Sequence, residues 1–218
     1  MLRMACIVEG HGEVEAAPIL IHRIARSLTP PRQVVVHPVL RIPAARLVRE
    51  GELERAVELA ARKTGGLAAV LVLLDCEDQC PAQAGPPLLQ RARRARPDIP
   101  VGLVLAHPEF ETWFVAAAES LRGKRGLPAN LTPPERPEHI RGAKEWLRNQ
   151  MPPGRRYKET LDQPELTRYF DLQAARKTNS FDKCVRETTC LLGRLQRLGK
   201  SPRSSPDEPP PSTRAASG

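Results

Sequence analysis

Seven carboxylates stand in three short clusters, and each cluster closes an apolar run. Glu9 follows residues 4–8 and is trailed by Gly10, His11, Gly12 and Glu13. Asp75, Glu77 and Asp78 follow the run LAAVLVLL at 67–74, and Glu109 and Glu111 follow VGLVL at 101–105. If the runs are neighbouring parallel strands, their carboxyl ends share one edge, the crevice where open α/β sheets bind ligands. Acids gathered there repel one another unless cations sit among them, and hard divalent ions take oxygen ligands. Mg²⁺ or Mn²⁺ is the expected resident. Gly10-His11-Gly12 is no dinucleotide turn, because Glu15 stands where a third glycine belongs and carboxylates at 9 and 13 repel a pyrophosphate. No GK[ST] or GxSxG occurs.

The elements that must position these acids read as an α/β fold. None of the runs at 4–8, 67–74 and 101–105 alternates polar with apolar residues, the pattern of strands covered on both faces; VVV at 34–36 is a weaker fourth. Helical spacing lies between them: Val14, Ala17, Ile21, Ile24 and Leu28; then Leu53, Val57 and Ala60; then Leu88, Leu89 and Ala92, ending before Pro97. Pro18 belongs in a first turn, which starts the first helix near 14–17 and leaves Glu13 in the loop or first turn beside Glu9. A helix is expected from about Phe110, with Phe110, Phe114, Ala117 and Leu121 facing the core. Glu109 and Glu111 are both metal candidates; if the helix already includes them, residues two apart point about 200° away from each other and only one can face the site, with Glu109 favoured.

The 218 residues carry a net charge of +9, unevenly placed. Residues 1–121 hold 14 basic and 14 acidic side chains, whereas 122–199 hold 17 against 9. The second half therefore suits an anionic partner such as nucleic acid, with Arg122, Lys124, Arg125, Arg155, Arg156 and Lys158 as backbone-holding candidates. The expected organisation is an α/β domain at 1–121, a basic, mostly helical extension at 122–199 packing on it, and a disordered tail at 200–218 rich in Pro and Ser. Five cysteines without a CxxC pair point to reduced thiols in a cytoplasmic protein, and no apolar run suits a signal peptide or a membrane span.

The spacing of Glu9 and Asp75-x-Glu77 resembles the Toprim domain of topoisomerases, primases and overcoming-lysogenization-defect nucleases. More closely, EGHGEVEAAPIL, DCEDQC, EFETWF, GAKEWL, DQPELTRYFDL and SFDKC, in this order, resemble the bacterial Toprim-like family called domain of unknown function 4276, over about 4–192. The resemblance implies a mainly parallel sheet flanked by helices. It makes Glu9 the general acid/base and Asp75 with Glu77 the metal pair, with Glu13 a second acid of the nuclease branch. The usual second Asp is Glu77 here, so either Glu77 or Asp78 completes the pair. Lys144 and Lys183 lie inside family motifs and are the catalytic candidates from the second half.

The resulting expectation is Mg²⁺-dependent phosphodiester hydrolysis of nucleic acid, in a phage-defence or mobile-element setting, with an ATPase encoded nearby as protein partner and no membrane. The alternatives are a non-catalytic subunit that keeps the shell to bind nucleic acid or a partner, and nucleotidyl transfer, for which no nucleotide site is visible.

Overall fold

The apolar runs become β1 (Leu2–Val8), β2 (Val34–Arg41), β3 (Ala69–Asp75) and β4 (Val101–Ala106), all parallel and in the spatial order β2-β1-β3-β4. The computed structural model describes residues 1–200; the tail expected at 200–218 therefore lies, beyond Lys200, outside the described residues. Alternation along the strands feeds two apolar layers. Met4, Cys6, Val8, Leu71 and Leu73 enter one, and Ala5, Ile7, Val70, Val72 and Leu74 enter the other. Burial on both sides is why β1 from Met4 to Val8 and β3 from Ala69 to Leu74 are apolar without a break.

Four helices connect the strands: α1 (Glu13–Ser27), α2 (Ala44–Leu47), α3 (Glu52–Thr64) and α4 (Pro81–Ala95). α1 packs in the first layer, α3 and α4 in the second. The chain leaves β1 towards β2 on one side and leaves β3 towards β4 on the other. The reversal puts the crevice between the ends of β1 and β3, where Glu9 and Asp75 stand. Proline does not set the start of α1 as expected, since Pro18 lies in its second turn. The start is set by the amides of Glu15 and Ala16, which donate to the Gly12 carbonyl, making Glu13 the first helical residue.

After β4 come α5 (Thr112–Ala116), α6 (Ala143–Asn149), α7 (Glu159–Tyr169), α8 (Leu172–Ala175) and α9 (Asn179–Leu198). α9 lies against β4, β3 and β1, and α7 lies against α1. All four phenylalanines of the chain join Trp113 in a closed ring of contacts. The centroid separations are 4.6 Å for Phe110–Trp113, 5.0 Å for Trp113–Phe181, 5.4 Å for Phe181–Phe170, 5.4 Å for Phe170–Phe114 and 5.5 Å for Phe114–Phe110. Each tilted or edge-on pair adds about 0.5–1.5 kcal/mol beyond simple burial. The ring binds the segment after β4 to α9, and so fixes the turn that carries Glu109 and Glu111. Among the described residues no helix is long and apolar enough to cross a membrane.

Candidate metal centre

Asp75 is the last residue of β3, and alternation turns it towards the layer of Leu71 and Leu73, the side of α1. Its Oδ1 accepts the Phe110 amide at 2.9 Å, which ties the end of β3 to the turn after β4. Within that turn Phe110 is buried in the aromatic ring, and the acids on either side of it converge on Asp75. One oxygen each from Asp75, Glu109 and Glu111 all lie within 4.8 Å of one another, a set able to hold a divalent cation. The expectation that only one of Glu109 and Glu111 faces the site is therefore corrected. α5 begins only at Thr112, so residues 109–111 form a turn, closed by the Thr112 amide on the Glu109 carbonyl at 3.0 Å, and helical angular spacing does not apply.

Lys144 enters this cluster from the first turn of α6. Its amide donates to Glu109 Oε1 at 3.1 Å. Its Nζ stands 3.5 Å from Glu109 Oε2, 3.6 Å from Asp75 Oδ2, 3.6 Å from Glu159 Oε1 and 3.9 Å from Glu111 Oε2. Glu111 is fully buried. Its Oε1 accepts the Tyr157 hydroxyl at 2.9 Å and the Gln163 amide at 3.3 Å, while its Oε2 has no hydrogen-bond partner among the described residues. An ionised oxygen left bare at that depth is costly unless a cation or a proton meets it.

The electrostatics follow from this crowding. Burial, with Asp75 and Glu109 adding to it, drives the Glu111 carboxyl well above its ordinary range, against the pull of Lys144. Burial raises Asp75 to about 7 despite Lys144 and the Phe110 amide, and nearby Glu109 and Glu9 push the same way. Glu13 rises to about 8, first through burial and then through Asp75. For Lys144 burial opposes the charge, but Glu111, Asp75, Glu159 and Glu109 outweigh it and hold the ammonium charged above its usual range. Burial and the adjoining Glu111 hold the Tyr157 hydroxyl protonated.

The other expected acids are distributed around this core. Glu9, Asp75 and Glu77 line one cleft of about 260 Å³ beside α2. Glu13 turns back on its own loop, its Oε2 accepting the Glu9 amide at 3.0 Å and the Gly10 amide at 3.3 Å. Glu77 has a left-handed backbone (φ 48°) and donates its amide to the Pro108 carbonyl at 2.8 Å. Asp78 turns outward to Arg141, 3.6 Å away. Gly12 permits the close approach of α7: a Cβ there would come within 2.5 Å of the Glu159 carbonyl oxygen.

Lys183 lies apart from the acids. It pairs with Glu187 at 2.7 Å and lines a cavity of about 580 Å³ with Leu103, Leu105 and His107. Arg125 and Arg155 are engaged by the buried Asp162, at 2.9 and 3.1 Å, where the Lys158 amide also donates at 2.8 Å. Arg122 donates to the Leu131 carbonyl at 2.7 Å, and Lys124 sits 4.9 Å from the Tyr169 ring centre. Arg156 and Lys158 are exposed, with no side-chain ion pair among the described residues.

Tyr157, Glu159 and Gln163 were not among the residues expected at the site. Gln163 belongs to the segment DQPELTRYFDL that carries the family resemblance, so its position was visible but its role was not. Tyr157 was hidden among basic residues.

No curated protein and no solved structure matches this chain. One family model does, over residues 8–187, a span that takes in the strand-end acids from Glu9 onward, Lys144, Tyr157 and α7. The chain belongs to that family, described as a domain of unknown function (DUF4276).

Proposed function

We propose that the protein is a Mg²⁺- or Mn²⁺-dependent phosphodiesterase acting on nucleic acid. The observation that carries this reading is the fully buried Glu111 Oε2, which accepts no hydrogen bond among the described residues, beside Asp75 and Glu109, three hard oxygen donors gathered in one place. The donor set fits a hard divalent ion and has no sulfur or imidazole that would favour a softer one. Asp75, Glu109 and Glu111 would hold the ion, with Glu9 and Glu77 at the cleft beside them. When bound, such an ion supplies Lewis-acid polarisation of a phosphoryl oxygen and lowers the pKa of coordinated water.

The chain's own residues supply the rest. Tyr157 and Gln163 hold Glu111 in one rotamer through its Oε1. Phe110 holds Asp75 through its amide. Glu9, half-buried in the cleft, is placed to exchange a proton with a reacting oxygen. Exposed Arg156 and Lys158 would meet the phosphate backbone, together with Lys124. This reading follows the Toprim resemblance of Glu9 and Asp75-x-Glu77 and suits a nuclease of a defence or mobile-element system. The proposed partners are nucleic acid and a separate ATPase.

One observation favours a second reading, a non-catalytic binding subunit: Lys144 already neutralises part of the cluster without any metal. Incubation with single- and double-stranded DNA and RNA in Mg²⁺, Mn²⁺ or EDTA separates the two. Metal-dependent cleavage that Glu111→Gln abolishes supports the enzyme. Retained binding without cleavage under every metal condition supports the subunit.

A further inference from the structure

Resting on the metal reading above, we infer that Lys144 is the exchangeable counter-cation of the cluster: it holds the place of the divalent ion in the metal-free protein and moves out when the ion enters. Its Nζ is surrounded by four carboxylates at 3.5 to 3.9 Å, yet it makes no hydrogen bond to any of them. It acts as a central point charge with no directional bonds to break, on a flexible four-carbon stem. A Mg²⁺ ion needs oxygens at about 2.0–2.1 Å. Drawing Asp75, Glu109 and Glu111 to that range leaves no room for an ammonium among them.

The exposures mark the direction of exit. Glu111 is 0% exposed, Asp75 12%, Glu109 14%, Lys144 32% and Glu159 43%. Glu159 is thus the outermost of the four acids and stands at the mouth of the site. A displaced Lys144 keeps that partner while its ammonium turns to solvent. The anchor of α6 need not move, because the Lys144 amide remains free to donate to Glu109 Oε1.

Two measurements test the exchange, using the full chain with Mn²⁺ or Mg²⁺ as the only ligand. The first is acylation of lysines by a water-soluble N-hydroxysuccinimide ester, read by peptide mass mapping. Saturating metal should raise the labelling rate of Lys144 several-fold and leave Lys124, Lys158 and Lys183 unchanged. The second is calorimetric titration, in which Lys144→Met should bind Mn²⁺ at least tenfold more tightly than wild type. Slower or unchanged labelling of Lys144 in metal, or equal or weaker binding by Lys144→Met, overturns the exchange while leaving the metal site standing. If neither protein binds Mn²⁺ or Mg²⁺, the metal reading itself fails and the exchange with it. The labelling needs no variant, so a poorly folded Lys144→Met does not remove the test.

Discussion

The Tyr157 hydroxyl donates to one oxygen of Glu111 at 2.9 Å, and among the described residues the other oxygen of Glu111 accepts no hydrogen bond. The pair divides the carboxylate into a held half and an available half. Orientation of a ligand by a neighbour that does not itself ligate is commonly worth about 10–100-fold in metal affinity. Tyr157→Phe should therefore weaken Mn²⁺ binding by about tenfold while the far-ultraviolet circular dichroism stays native. Unchanged affinity in the folded variant would mean that Tyr157 does not orient the ligand.

The raised carboxyls predict a specific pH response. Glu13 moves from an ordinary 4.5 to about 8, and Asp75 from 3.8 to about 7. A group whose folded pKa is raised binds more protons when folded than when unfolded across the interval between the two values. Its stabilising contribution is complete below the unfolded value and is lost as pH rises through the folded one. In EDTA the melting temperature should fall as pH rises from about 5 to about 8, over the window those values set. Divalent metal affinity should rise across the same window, because the ligands must be deprotonated. A metal-free melting temperature that climbs over that range would contradict the burial of these acids.

The basic residues separate into two groups. Arg155 and Arg125 satisfy the buried Asp162, and Arg155→Ala leaves Asp162 with Arg125 and the Lys158 amide, so it should lower stability by about 1.5 kcal/mol, the scale for losing one hydrogen bond to a charged group. Arg156→Ala with Lys158→Ala should leave stability nearly unchanged. That double variant should also flatten the slope of log affinity against log salt, by about 0.9 for each duplex phosphate that is no longer neutralised. Fluorescence anisotropy on labelled DNA at several salt concentrations reads the slope, and an unaltered slope would remove these two residues from the interface.

The aromatic ring carries the acids on one turn. Phe181→Ala removes a fully buried ring that packs on Trp113 and Phe170, and should cost about 3–5 kcal/mol in urea unfolding. Because the ring joins α9 to the turn at 109–111, metal affinity should fall along with stability. A full loss of stability with unaltered metal affinity would show that the turn holds itself.

Much of this was legible in the amino-acid sequence because it rests on local pattern. The runs at 4–8, 67–74 and 101–105 that become most of β1, β3 and β4 are unbroken and apolar, and the acids that follow them sit where a parallel sheet gathers its strand ends. Lys144 could be picked out by its motif. α7 is covered by the motif DQPELTRYFDL but is not legible as a helix, because the face it buries carries Asp162, Gln163 and Thr167, and apolar periodicity does not register a polar buried face. The joint arrival of Glu109 and Glu111 was obscured for a different reason: a helix extended two residues too early assigns them to opposite sides. Tyr157 and Glu159 meet the cluster only through the packing of α6 and α7, which no spacing in the chain encodes.

Calorimetric titration of Mn²⁺ into the wild type, Asp75→Asn and Glu111→Gln addresses the central claim most directly. Saturable binding by the wild type is expected, with protons released on binding at about pH 7 and below, where Asp75 still carries one, and loss of that binding in both folded variants. Folded wild type that binds no Mn²⁺ or Mg²⁺, or variants that bind as tightly as it does, would contradict it.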